Sequence, residues 1–301
     1  MNRHTTHRNR SCSALVFLLT IAGAAGSAQA EDVLPFLPPS GTPPRIQRLE
    51  IVDAPDPIGN GLTLRNTSGD RSDAPTYHPE SVPRAPDVAV DPLTGGAVVG
   101  WLERVGETDD LVVASANASG WGAPCRVARG AASAPSVAFA PDGSVVAIYV
   151  LVSGAQTQAF ARTASAPDWR WSLPEPVSLP GEQVSHVNAV IHAGQLHIVY
   201  SRRDGPATSL VHATPNAAGY DRSVVATSSF AGGALPQIHS HAGVLWIDWV
   251  DAEAPTGAGE LAWKRRDAPS TWGATRYEPY ASPFDRDYHV RPGLRLQAIA
   301  P

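Results

Sequence analysis

The sequence predicts an all-β fold: a β-propeller of five blades, each with four antiparallel strands, whose two termini share one blade. Three observations carry this expectation. One pattern recurs four times at intervals near 50 residues. Proline and glycine, 28 and 26 of 301 residues, break the chain into short runs. Those runs alternate like strands, and none shows the 3.6-residue apolar period of an amphipathic helix.

The elements follow in chain order. Residues 1–30 read as a secretory signal peptide, with Arg3, Arg8 and Arg10 ahead of an apolar run from Ala14 to Ala25. Ala28-Gln29-Ala30 supplies a small-x-small cleavage site, so the expected mature chain starts near Glu31 and is exported to the periplasm or beyond. Residues 31–44 form a Pro-rich linker, and residues 45–301 a single propeller domain.

The repeats then set the blades. Ala85-Pro-Asp-Val-Ala-Val-Asp-Pro returns as Ala134-Pro-Ser-Val-Ala-Phe-Ala-Pro, each copy opening an inner strand. The second strand of each unit ends in an aromatic: Trp101, Tyr149, Tyr200 and Trp249, spaced 48, 51 and 49 residues apart. A third run follows about ten residues later, at Leu111, Ala159, Leu210 and Leu261. A second aromatic (Trp121, Trp171, Tyr220, Trp272) closes the next turn and leads into an outer strand. One four-stranded sheet cannot cover both of its faces, so the copies are expected to stack radially with the first aromatics between blades. Arg291-Pro-Gly-Leu-Arg-Leu-Gln297 matches one more inner strand. Ile46 to Val52 and Leu62 to Arg65 are its expected outer partners.

The turn before the second aromatic reads Ser115-Ala-Asn117-Ala-Ser-Gly120-Trp121 and Thr214-Pro-Asn216-Ala-Ala-Gly219-Tyr220. A short Asn side chain there can bond the turn backbone, and Gly permits positive φ. Ser/Thr-x-Asn-x-x-Gly-aromatic resembles a degenerate Asp-box (BNR-type) turn of the sialidase-like propellers, with looser copies before Trp171 and Trp272. That resemblance implies the scaffold; it supplies no chemistry by itself.

Composition narrows the function. The 23 basic and 28 acidic residues give a net charge of −5, which leaves no electrostatic footprint for nucleic acid. Lys264 is the single lysine, and Met1 the single methionine. Cys12 lies in the signal peptide, so Cys125 is left alone and reads as a buried small hydrophobe.

Propeller topology places the loops that join blades, and those between second and third strands, on one face around the channel mouth. The candidate ligand-binding residues on that face are Asp87, Glu103, Arg104, His186, Arg202, Arg203, Asp251, Tyr288 and Arg291. One step after the repeat proline, the inner strands carry Asp87, Ser136, Asn188, Gln237 and Gly293, a mostly neutral polar ring. The sialidase resemblance implies three arginines gripping a carboxylate, and a tyrosine nucleophile supported by a glutamate. Arg104, Arg202 or Arg203, and Arg291, with Tyr288, are the matching residue types, but no Phe-Arg-Ile-Pro-like motif stands near the N-terminus. His186 to Ser201 is similar to the inner strands of arabinanase-type five-bladed glycosidases. Their chemistry needs two flanking carboxylates, and Asp87 is the one acidic residue of the ring.

His239-Ser-His241, with His192, His197 and His212 nearby, has ligand-like spacing but is read as surface histidine rather than metal site. Trp169, Trp246 and Trp263 break the repeat and are candidate exposed contacts. The expectation is therefore an exported bacterial binding module that presents a polar mouth to a glycan or protein partner. It is expected to be a monomer, with no cofactor, no metal, no nucleic acid and no membrane span in the mature chain. The alternatives are a divergent sialidase-like glycoside hydrolase and a structural scaffold of an envelope complex.

Overall fold

The computed structural model describes residues 50–53, 62–65, 71–73, 76–79, 81, 83–91, 96–117, 120–165, 169–228, 235–241, 243–251, 260–268 and 271–278, all within the unit Val33–Pro301. Every regular element among them is a β-strand.

Strands β1 (Glu50–Asp53), β2 (Leu62–Arg65) and β3 (Arg71–Asp73) form an antiparallel three-stranded sheet. The first full blade runs β4 (Pro83–Val90), β5 (Ala97–Val105), β6 (Thr108–Asn117), with two outer pieces, β7 (Gly120–Trp121) and β8 (Cys125–Arg129), both paired to β6. The second is β9 (Ser136–Phe139), β10 (Val145–Ser153), β11 (Gln156–Ala164) and a two-residue edge, β12 (Glu175–Pro176). The third is β13 (Gln183–His192), β14 (Gln195–Asp204), β15 (Ala207–Asn216) and β16 (Gly219–Ser228). The fourth is β17 (Gln237–His241), β18 (Val244–Asp251) and β19 (Glu260–Ala268), edged by β20 (Thr271–Trp272) and β21 (Arg276–Glu278). Each blade is an antiparallel meander with its first strand inward, so the repeat of the sequence is the repeat of the fold.

Tight glycine turns set the registers. Gly106, Gly154 and Gly205 open the hairpins between second and third strands with φ of 62°, 63° and 64°. Only the first central residue of each turn has positive φ, the pattern of a type II′ turn, which accommodates Pro206 at the second position. In the third blade Asn216 Oδ1 accepts from the Ala218 N–H at 2.7 Å, and Gly219 has a φ of 126°, so the expected Asn-and-Gly turn forms there.

Alternation then buries both faces of the sheets. Along β10, Val145, Ala147 and Tyr149 pack with the first blade's Val98, Leu111 and Val113. Val146, Ile148 and Val150 pack with the third blade's Ile198 and Tyr200. Val199 and Leu210 meet Ile247 and Trp249 of the fourth. Trp101, Tyr149, Tyr200 and Trp249 are at most 1% exposed, as blade-to-blade packing requires. Each such ring removes roughly 150–250 Å² from water, and the four aromatics are the largest fully buried side chains of the core. Gly100 marks a close approach: a Cβ there would lie 2.8 Å from Val137 Cγ1 of the next blade.

The polar ring of the inner strands has a specific use. Val137 N–H donates to Asp87 Oδ2 at 2.8 Å, Ala189 N–H to Ser136 Oγ at 3.0 Å, and Ile238 N–H to Asn188 Oδ1 at 2.9 Å. Each side chain thus bonds the amide one position beyond its own equivalent in the following blade. This regular step aligns neighbouring inner strands in the same direction and puts all their starts at one end. Together the radial sheets and their inner-strand latches define a β-propeller.

Candidate functional site

The starts of the inner strands enclose a shallow depression that is widely open to solvent. Ala134 and Pro135 line it from the second blade, His186, Val187 and Asn188 from the third, and Leu235, Pro236 and Gln237 from the fourth. The proline of the repeat therefore builds the rim. Leu235 and Ala85, each just before a proline, hold φ of 41° and 49°, a left-handed conformation that costs a non-glycine residue on the order of 1 kcal/mol or more. His186 Nδ1 pairs with Ser185 Oγ at 3.1 Å, and burial lowers its pKa below the ordinary histidine value. The cleft thus presents neutral hydrogen-bonding groups between apolar proline walls.

The other candidate residues take different places. Asp87 is 3% exposed and accepts from Ser136 Oγ at 2.9 Å as well as from Val137 N–H, so it is held between blades. Glu103 is fully buried and accepts four bonds: Tyr77 N–H (2.8 Å) and Trp101 Nε1–H (2.9 Å) at Oε1, His78 N–H (2.8 Å) and Ser81 Oγ–H (2.8 Å) at Oε2. It clamps the segment that enters β4. Asp251 Oδ1 accepts from Ser228 Oγ at 3.0 Å. Tyr288 and Arg291 lie outside the described residues, as do the expected inner strand 291–297, the signal segment and the linker.

Arg104 and Arg202 find carboxylates, and Arg203 a backbone carbonyl. Arg104 donates from Nε to Gly106 O at 3.1 Å and approaches Asp109 at 3.5 Å, beside an Arg84–Asp109 ion pair. Arg202 bridges Glu182 and Asp204, both at 2.9 Å, and Arg203 turns onto Gly205 O at 3.2 Å. The bonds from Arg202 and Ser209 hold the Asp204 carboxyl below the usual carboxylate range. Glu182 also accepts from Tyr200 OH at 3.1 Å, and burial together with that carboxylate raises the phenol. Asp204 and Glu182 keep the Arg202 guanidinium charged.

His78, Asp110, Arg126 and Glu182 escaped the sequence reading. His78 and Glu182 sit in the connecting segments before β4 and β13, where no repeat position marks them. The one available signal was their place ahead of an inner strand. His78 Nε2 lies 3.0 Å from Asp110 Oδ2, which also faces Arg126 Nη1 at 3.4 Å.

The remaining histidines gather away from the cleft. His239 pairs with Asp248 on the fourth blade. His197 and His212 stack at 5.2 Å between the third and fourth blades. Among the described residues no group of three or more His, Cys, Asp or Glu is placed to hold a metal ion. Cys125 is 1% exposed beside Trp171, and burial pushes its thiol up to about 11. Trp169 packs partly buried against the core between the first two blades, and Trp246 lies 5.1 Å from Trp263. These tryptophans are less open than their break from the repeat suggested.

A β-propeller with a neutral cleft at the inner-strand starts is the class that fold and site define. No protein-family profile and no curated protein sequence matches the chain. Among solved structures it is similar to an exo-β-1,3-galactanase from Clostridium thermocellum, at 13% identity over 73% of this chain and 51% of that one, TM-score 0.47. It is similar also to Trypanosoma rangeli sialidase in complex with sialic acid, at 13% identity over 75% of this chain and 42% of that one, TM-score 0.45. A third is polysaccharide lyase Uly1, at 10% identity over 81% and 74%, TM-score 0.47. The chain spans about half the length of the galactanase and less of the sialidase. Among the described residues no helix is long and apolar enough to cross a membrane.

Proposed function

We propose that this chain is an exported, monomeric β-propeller of five blades that binds a glycan at the cleft of the inner-strand starts. One observation carries the reading. The carboxylates nearest the mouth are committed to holding structure: Glu103 by four donors, Asp87 by two, Asp251 by Ser228. What lines the cleft is His186 and Gln237, with the amide nitrogen of Asn188, whose oxygen is held by Ile238 N–H, beside Pro135 and Pro236. Neutral hydrogen-bonding groups set against apolar pyrrolidine rings suit a neutral polyhydroxyl ligand better than a charged one. The degenerate Asp-box-like turns and the segment 1–30 support a sialidase-type scaffold that is exported.

The test pairs an oligosaccharide array with turnover of aryl glycosides by the same protein. Binding without turnover, weakened about tenfold by His186→Ala, is the expected result. Turnover lost in Arg202→Ala would overturn the reading in favour of a sialidase-like hydrolase. An array without a single binding sugar would overturn it in favour of a scaffold.

A further inference from the structure

The rim of the first blade carries a pair of titratable groups with no repeat motif behind it. His78 lies in the segment that enters β4, so it stands at the same end as the cleft. Its Nε2 is 3.0 Å from Asp110 Oδ2. An ionised carboxylate only accepts, so Nε2 carries a ring proton, and the neutral form of the ring has its acceptor lone pair at Nδ1. Nδ1 has no hydrogen-bond partner among the described residues, and the side chain is 26% exposed. Asp110, 4% exposed, is held in turn by Arg126. The Arg126 guanidinium lies 5.6 Å over the Tyr77 ring, and that ring meets the imidazole edge-on at 4.8 Å. Glu103 pins the backbone at both Tyr77 and His78. A connecting segment with no strand pairing of its own therefore holds one imidazole fixed in place, in ring plane and in tautomer. A histidine kept for solubility needs none of these contacts.

We propose that His78 Nδ1 accepts a hydroxyl proton from a neutral saccharide bound at the mouth, forming a second contact point beside the cleft. Asp110 is the positioning residue that fixes the tautomer, and the Tyr77 ring, packed between Arg126 and the imidazole, holds the ring plane. The inference rests on the glycan-binding reading and adds the first blade's rim to it. Bond formation here is a hydrogen bond only; no covalent step is involved.

The experiment uses the full chain and the neutral oligosaccharide that binds best on the array, measured by calorimetry. His78→Ala is expected to weaken binding about tenfold, and Asp110→Ala about threefold. Long-range nitrogen–proton spectra of the histidine rings read the tautomer directly. His78 is expected as the Nε2-protonated form, and as a mixture in Asp110→Ala. Should either variant fold poorly, diethyl pyrocarbonate on the unmodified protein replaces it: the bound sugar is expected to slow acylation of His78. Wild-type affinity in His78→Ala, an unchanged ring tautomer in Asp110→Ala, or unprotected acylation overturns this inference and leaves the cleft reading in place. An array with no binding sugar overturns both.

Discussion

Glu103 shows how much one buried side chain can organise. It ends the apolar stretch of β5 and is fully shielded from water, yet four donors surround its two oxygens. Two of them are backbone amides of a segment 25 and 26 residues away. The charge is tolerated because every lone pair facing a donor is used. Glu103→Gln keeps the shape but aims its NH₂ group either at Tyr77 N–H and Trp101 Nε1–H or at His78 N–H and Ser81 Oγ, whose hydroxyl can turn to His78 O and accept. In the better orientation one bond is lost and its buried donor left unsatisfied, at roughly 1–3 kcal/mol. The expected loss is about 2 kcal/mol in urea unfolding at pH 7. A stability within about 0.5 kcal/mol of wild type would show that the clamp carries no weight. Asp87 has the same character on the inner strand: its position in the polar ring could be read from the repeat, but its use as a latch to Val137 could not. A sequence gives the residue type at a register position. It does not say whether that side chain faces a ligand or the amide of the neighbouring blade.

At the scale of elements, the junction of the third and fourth blades is the one with an evident response to pH. His197 on β14 and His212 on β15 meet through Nδ1 and Nε2 at 2.9 Å. Arg266 on β19 reaches the same Nδ1 at 3.3 Å. A guanidinium can only donate, so Nδ1 of His197 is the acceptor and His212 Nε2 carries its own proton. Trp272 and His192 close the sides at 5.3 and 5.8 Å, and Lys264 of β19 is bonded to Val225 O. Burial first, then Arg266 and His192, lower His197 to about 4; burial, His197 and Arg266 lower His212 to about 3. Both folded values lie below the ordinary 6.5, so the unfolded chain binds more protons in that interval. The contribution is complete above pH 6.5 and falls as pH drops towards 4, by up to about 1.4 kcal/mol per pH unit for each ring. Urea midpoints at pH 7, 6 and 5 should decline, with a clearly shallower decline in the double variant His197→Gln, His212→Gln. Equal slopes would show that other groups drive the acid response. These elements also mark where the sequence was readable. Second and third strands were legible because alternation and aromatic spacing follow burial on both faces. Outer strands were not: β12 is two residues long, and the first blade's edge breaks into β7 and β8 around Gly122-Ala-Pro124. An edge strand buries little, so no apolar period marks its limits. The His78 segment was invisible for a related reason, since a distant carboxylate holds it rather than its own neighbours.

For the whole molecule, the latches raise the question of closure. Three consecutive steps are in place, Asp87 to Val137, Ser136 to Ala189 and Asn188 to Ile238. Gln237 holds the next position of the ring. On the sequence expectation of a fifth blade, the same one-residue step carried into Arg291-Pro-Gly-Leu would pair the Leu294 amide with Gln237. Gly293 would then have no side chain to offer β4, and the last step would lack a latch. Closure there would depend on packing, and the face of the first blade turned that way is rich: Val88, Ala97, Val99, Trp101, Val112 and Ala114 form one buried cluster with Tyr77 and Trp121 against it. A double-mutant cycle measures the latch apart from the strand. Gln237→Ala removes the acceptor, and Leu294→Pro removes the donor along with whatever else proline disturbs. If the two groups bond each other, the double variant is less destabilised than the sum of the single ones by about 1 kcal/mol, because the bond can be lost only once. Additive effects in urea unfolding would mean that Gln237 serves another partner and that the ring does not close through residues 291–297.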